Sequence, residues 1–425
     1  MVRPARETPR QRLWLSDVDL VMPRLHTASV YFYRRPEGVS PEVFFNGQRM
    51  RETLAEALVP FYPMAGRLAH GEGGRVEICC NGEGVLFVEA DAPDTAVEDY
   101  GNFAPSMDLM RLIPAVQYTD NITAFPLVTY FKCGGVSLGV GMHHYAADGI
   151  SGVHFINSWS DLCRGTQIPV MPILDRTLLV CRDPPTPSFK HVEYEPSPAM
   201  LPLEAQDLTS NNLEPSAPPA GIFKLTPLDL SRLRSQLPKG GGAPHFSTYA
   251  ILAAHVWRCT SLARGLAPEQ TTKWYCATDG RQRLQPPLPD GYLGNVVFTA
   301  AATAEAGRVT SGLADAATIV QEALDRMDNE YCRSALDYLG LLPDVSAVSR
   351  GDNLYRCPNL GLTSWVRMPI HDADFGWGRP LFMGPSTIEG LGFILPSADG
   401  DGSLSIAIAL EAAHMEKFQK LILEI

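Results

Sequence analysis

The chain has 425 residues, 45% hydrophobic and 19% charged, a balance that suits a folded protein with more than one core. A net charge of -12 and no basic tract exclude nucleic-acid binding as the main activity, since neutralising phosphates needs clustered Lys and Arg. No apolar run reaches the span of about 18 residues that a membrane requires, MVRPARETPRQRLW lacks the apolar centre of a signal peptide, and nine scattered cysteines lack zinc-site spacing, so a cytoplasmic protein without metal is expected.

Along the first half, strand-like and helix-like segments alternate. SVYFYR (29–34), GRVEICC (74–80) and VLFVEA (85–90) carry the β-branched and aromatic residues of strands. NGQRMRETLAEALVPF (46–61) places Met50, Leu54 and Leu58 at helical spacing, stopped by Pro60 and Pro63. VSLGVGMHH (136–144) reads as a buried strand, and SGVHFINSWSDLCRG (151–165) as a helix closed by Gly165. Residues 183–220 then hold nine prolines and no apolar period, which predicts a long crossover between an N-terminal domain, 1–182, and a C-terminal one, 221–425. GIFKLT (221–226) restarts strand character. FSTYAILAAHVWRCTSLARG (246–265) predicts a helix capped by Ser247 or Thr248 and ended by Gly265. KWYCATDGRQR (273–283) predicts a strand, residues 313–339 are helical in pattern, and GLGFIL (390–395) and LSIAIAL (404–410) are strand candidates. The sum is a mixed α/β fold in two halves.

Chemistry concentrates in GVGMHHYAADGISGVHF (139–155), where a strand ends on His143 and His144 and Asp148-Gly149 opens a helix. From pattern alone His144 is either a positioned general base or a satisfied core histidine. In DADFGWG (372–378) two glycines flank a tryptophan, and Asp374 can bond backbone amides or an arginine, either structurally or in a site. Thr363, Ser364 and Trp365 end another strand-like run and could donate to an oxygen. KGGGAP (239–244) lacks the GK[ST] of a phosphate loop. There is no Gly-x-Ser-x-Gly elbow and no evident catalytic cysteine, which suits direct attack of one substrate on another.

HHYAADG and DFGWG, in this order and separation, resemble the two signatures of the plant BAHD acyl-CoA-dependent acyltransferases. LWLSDVDLVMPRLHTASVYFYR, CATDGRQRLQPPLPDGYLGN and CPNLGLTSWVRMPIHDADFGWGRPLFMGP extend the likeness almost end to end, toward the branch that acylates shikimate or quinate with hydroxycinnamoyl groups. The resemblance implies two chloramphenicol-acetyltransferase-like domains with an active-site channel at their interface, and a segment near 365–395 returning to the N-terminal domain. It implies His144 as general base, with Trp365 near the thioester carbonyl. It also implies a structural Asp148 paired with Arg281 or Arg283, and a structural Asp374. His26, Ser29, Tyr31, Thr363 and Arg350 match acceptor-pocket positions, with Arg350 on the acceptor's carboxylate; Ser247 and Thr248 fall where CoA would bind. A monomer is expected, with acyl-CoA as co-substrate and no cofactor. Against the family pattern, the strand before MVRPA is missing, and FPLVTYFKCGG and MGPSTIEGLGF are trimmed.

Overall fold

The computed structural model describes residues 1–114, 122–201, 218–238, 244–348, 354–385 and 388–425. Its N-terminal sheet has five strands in the order Phe382–Pro385, His26–Tyr33, Val136–His143, Ala124–Phe131 and Val88–Ala92. The middle strand is buried on both faces. Val136, Leu138, Val140 and Met142 enter the main core on one face. The glycines alternate on the other: a Cβ on Gly139 would meet Leu112 O at 1.8 Å, and one on Gly141 the Phe125 ring at 2.1 Å. The glycine run therefore lets neighbouring chain close directly onto the strand that carries the histidines. The trimmed FPLVTYFKCGG still gives an eight-residue strand, laddered over seven residue pairs to Val136–Met142.

A second sheet has six strands, Val297–Glu305, Thr271–Asp279, Leu360–Ser364, Leu391–Pro396, Leu404–Ala409 and Ala220–Leu225. Helix Thr248–Arg264 packs against it, capped by Ser247 and ended by Gly265 at φ 61°. Gln11–Trp14, Val76–Cys80 and Arg67–His70 form a small third sheet. No helix among the described residues is long and apolar enough to cross a membrane.

The two halves are joined by exchange. After Trp365 the chain leaves the second sheet, and Asn157 of the helix Gly149–Cys163 donates to Pro369 O at 3.1 Å. Phe375 and Trp377 pack on Tyr33, Phe44 and Phe45, and Tyr33 donates to Ala373 O. Phe382–Pro385 then adds to the N-terminal sheet, antiparallel to His26–Tyr33.

Three elements depart from the sequence reading. The pattern over 313–339 folds as two helices, Leu313–Asp325 and Asn329–Gly340, because Asp328 turns its carboxylate onto Tyr331 N and starts a new helix. Val85 forms a bridge with Val2, and the strand begins only at Val88. The described first half of the crossover is fastened to the C-terminal half. Asp337 accepts from Arg182 and Thr186, Ser334 from the Ser188 and Phe189 amides, and Gln270 holds Ala199 and Leu201.

Candidate active site

His144 follows the last residue of its strand, its amide donating to Leu25 O at 2.9 Å. A turn closes when Ala146 N donates to His143 O, and Asp148 ends it as N-cap of the helix, accepting from Ser151 N at 2.9 Å. The His-x-x-x-Asp spacing is thus one turn between a strand end and a helix start. That leaves His144 at the junction and turns Asp148 inward.

Asp148 is 3% exposed and reaches across to the other half. Arg281 donates to it with two parallel bonds, Nη1 to Oδ2 at 2.8 Å and Nη2 to Oδ1 at 3.0 Å. Val296 N adds a third, at 3.0 Å. Burial alone would raise the Asp148 carboxyl, but Arg281 and the Ser151 and Val296 amides outweigh it and hold it below the usual carboxylate range. Of the two expected arginines, Arg281 makes this pair; Arg283 donates instead to Met327 O. Asp148 is a rivet between the halves. It caps one helix and fixes the loop before Val297–Glu305.

That loop carries Asn295, which was not among the residues singled out from sequence. Asn295 Oδ1 lies 3.0 Å from His144 Nδ1, and its Nδ2 donates to His144 O at 2.7 Å. With Oδ1 as acceptor, Nδ1 carries the proton and the lone pair of the neutral imidazole sits on Nε2. This is the arrangement a general base needs. Asn295 ends YLGN, 151 positions after His144, with no local pattern to mark it.

His143 has a different task. Its Nδ1 accepts from Tyr145 N at 3.1 Å, and its ring meets His26 and Tyr145 edge-on. Burial, helped by His26, His144 and Arg24, pushes this imidazole down to about 3. It therefore stays neutral in the fold, whereas the unfolded chain takes up the proton near pH 6.5. Its contribution is intact above pH 6.5 and is lost as pH falls toward 3, at up to about 1.4 kcal/mol per pH unit. His26, His154 and His255 are likewise lowered by burial and act in the same direction. Urea unfolding should show stability dropping from pH 7 to pH 5, and His143→Gln should flatten that slope by about one proton. An unchanged slope in the variant would assign the acid sensitivity to other groups.

The remaining expected residues scatter. His26 pairs with His143 in the ladder and donates from Nε2 to Ile122 O, so it belongs with His143. Ser29 is half-buried on the same strand, and Tyr31 is 1% exposed and packs in the main core. Thr363 and Trp365 are half-buried at the end of Leu360–Ser364, and the Trp365 ring packs edge-on to Phe393 at 5.1 Å. Arg350 lies outside the described residues. Asp374 sits apart, binding the Gly376 and Gly378 amides, with Arg164 4.0 Å away; it holds its own loop and is not half of a tight buried pair. Ser247 is the helix cap, and exposed Thr248 accepts from Arg234 at 3.0 Å, placing a guanidinium at the positive end of a 17-residue helix.

The model of the transferase family matches residues 1–423. A hydroxycinnamoyltransferase 1 from Oryza sativa subsp. japonica is 72% identical over 433 residues, covering all of this chain and 98% of that one. A hydroxycinnamoyl-CoA:5-hydroxyanthranilate N-hydroxycinnamoyltransferase of Avena sativa is 69% identical over 438 residues, at 100% and 98% coverage. A shikimate O-hydroxycinnamoyltransferase of Nicotiana tabacum is 56% identical over 429 residues, at 99% and 97%. Vinorine synthase shares the fold, with a TM-score of 0.75 at 21% identity, over 98% of this chain and 94% of its own. The chain belongs to the transferase family, the BAHD acyltransferases.

Proposed function

We propose that the protein transfers a hydroxycinnamoyl group, p-coumaroyl in the first instance, from CoA to a hydroxyl of shikimate. The observation that carries this is His144, held at the junction of the halves with its Nδ1 3.0 Å from Asn295 Oδ1. Nε2 takes the acceptor's hydroxyl proton as the oxygen attacks the thioester carbonyl. The Trp365 indole N–H stabilises the tetrahedral oxyanion. Collapse breaks the C–S bond, and the thiolate leaving as CoA takes the proton back from His144. CoA lies toward Thr248 and Arg234, where a helix N-terminus and a guanidinium favour its phosphates. Arg350 clamps the acceptor's carboxylate by a charge-assisted fork.

A second reading is N-acylation of a hydroxyanthranilate. The Avena relative at 69% identity bears that acceptor in its name, while the shikimate-named relative stands at 56%. Both acceptors carry a ring carboxylate, so Arg350 serves either, and quinate as well. The test is p-coumaroyl-CoA offered with shikimate, quinate, 5-hydroxyanthranilate and a ring alcohol lacking a carboxylate, with products identified by mass spectrometry. Shikimate ester should dominate for the parent. Arg350→Ala should lose on the order of 2 to 5 kcal/mol in kcat/KM for it, with the acyl-CoA KM little changed. Equal use of the neutral alcohol, or undiminished shikimate turnover in the variant, would remove the carboxylate clamp. A dominant amide product would select the second reading.

A further inference from the structure

We infer that Asp19 is a positioning residue for His144, acting through Asn295 and held in place by Arg176; the inference rests on the reading of His144 as the base. All three partners are buried: Asn295 and Asp19 are 0% exposed and Arg176 is 2% exposed. Asp19 closes the capping box of its own short helix, whose N-cap is Ser16: Oδ2 accepts from Ser16 N and Ser16 Oγ. Its other oxygen, Oδ1, accepts from Asn295 N at 2.9 Å, from Asn295 Nδ2 at 2.9 Å and from Arg176 Nη1 at 2.6 Å. Arg176 in turn donates to the Tyr145 and Ala146 carbonyls, within the turn between His144 and Asp148. A carboxylate from residue 19 and a guanidinium from residue 176 thus converge on one asparagine and on the turn behind the base.

The consequence lies in the symmetry of an amide. An asparagine side chain has one accepting and one donating end, and rotation by half a turn exchanges them with little change in shape. Whichever end faces His144 Nδ1 decides the tautomer. Asn295 Nδ2 has two hydrogens and two acceptors, Asp19 Oδ1 and His144 O. Rotating the amide would put its oxygen against both of them, at 2.9 and 2.7 Å, two acceptor–acceptor contacts in a buried place. Oδ1 is therefore forced toward His144 Nδ1, Nδ1 must be the protonated nitrogen, and Nε2 must be the base. His144 O alone opposes the rotation with one contact; Asp19 doubles it and brings a full charge.

Asp19 also acts during the reaction. When Nε2 gains the acceptor's proton, the imidazolium strengthens its Nδ1–H bond to Asn295 Oδ1. The carboxylate polarises the amide through the Nδ2–H and supports that bond without touching the ring. A neutral spacer raises the basicity of the imidazole less than a carboxylate in contact would.

The experiment uses the whole protein with ¹⁵N-labelled histidine, the His144 signal being assigned by its loss in His144→Ala. In the parent the nitrogen shifts should report a single tautomer, protonated at Nδ1. Asp19→Asn should mix the tautomers and lower kcat about ten- to a hundredfold, leaving the acyl-CoA KM in place. Since Arg176 loses its counter-ion there, the charge-conserving double variant Asp19→Asn/Arg176→Gln is made alongside. It should mix the tautomers and lower kcat as the single variant does, because no carboxylate orients Asn295 Nδ2. A folded Asp19→Asn with the parent's single tautomer and pH profile would overturn the inference. If that variant does not fold, a folded double variant with the parent's single tautomer and kcat overturns it equally. Failure of the base reading itself looks different: His144→Ala would then turn over like the parent, whatever the tautomer.

Discussion

His144→Ala should fold as the parent does and lose about 10² to 10⁴ in kcat, the usual share of a positioned base. The expectation of normal folding comes from where its bonds lie. The amide bond to Leu25 O and the carbonyl bond from Asn295 Nδ2 belong to the backbone and survive the substitution. The side-chain bond lost is the one to Asn295 Oδ1 described above, at a cost of about 1 to 3 kcal/mol if no water replaces it. Circular dichroism and urea unfolding should therefore stay near parental while turnover collapses. A variant with near-parental turnover would take His144 out of the mechanism.

Asp148→Ala should fail in the opposite way. It strips the buried Arg281 of its forked partner, uncaps the helix Gly149–Cys163 and leaves Val296 N without its acceptor. Breaking such a pair from one side costs about 3 to 5 kcal/mol, a large part of the stability of an ordinary domain. The loss should appear in urea unfolding, with activity falling because the Asn295 loop is no longer fixed. Asp374→Ala should cost far less, since Asp374 is partly exposed and binds mainly its own turn. An Asp148→Ala protein of parental stability but without activity would argue for a direct catalytic role.

The residues that could be read ahead of the structure are those whose partners are close in sequence. The strand, turn and capped helix around His144 lie together between Val136 and Cys163, and each step has a local physical signal. The Thr248–Arg264 helix was legible for the same reason, with Ser247 and Gly265 at its ends. Asn295, Asp19 and Arg176 were not, because their meaning arises only where distant parts of the chain converge on one imidazole. The strand Phe382–Pro385 was hidden too: four residues with a glycine and a proline carry little strand preference, and its place is set by pairing with His26–Tyr33. The break at Asp328 could have been seen, since an acidic residue before Asn-Glu is a helix start inside a helical period.

The most direct measurement compares the parent and His144→Ala in one assay, p-coumaroyl-CoA with shikimate, following CoA release and the ester by mass spectrometry. The account predicts acceptor-dependent CoA release and the shikimate ester from the parent, with both reduced about 10² to 10⁴-fold in a variant of unchanged stability. Ester formed equally by both proteins, or no acylated product from the parent with any carboxylate-bearing acceptor, would contradict it.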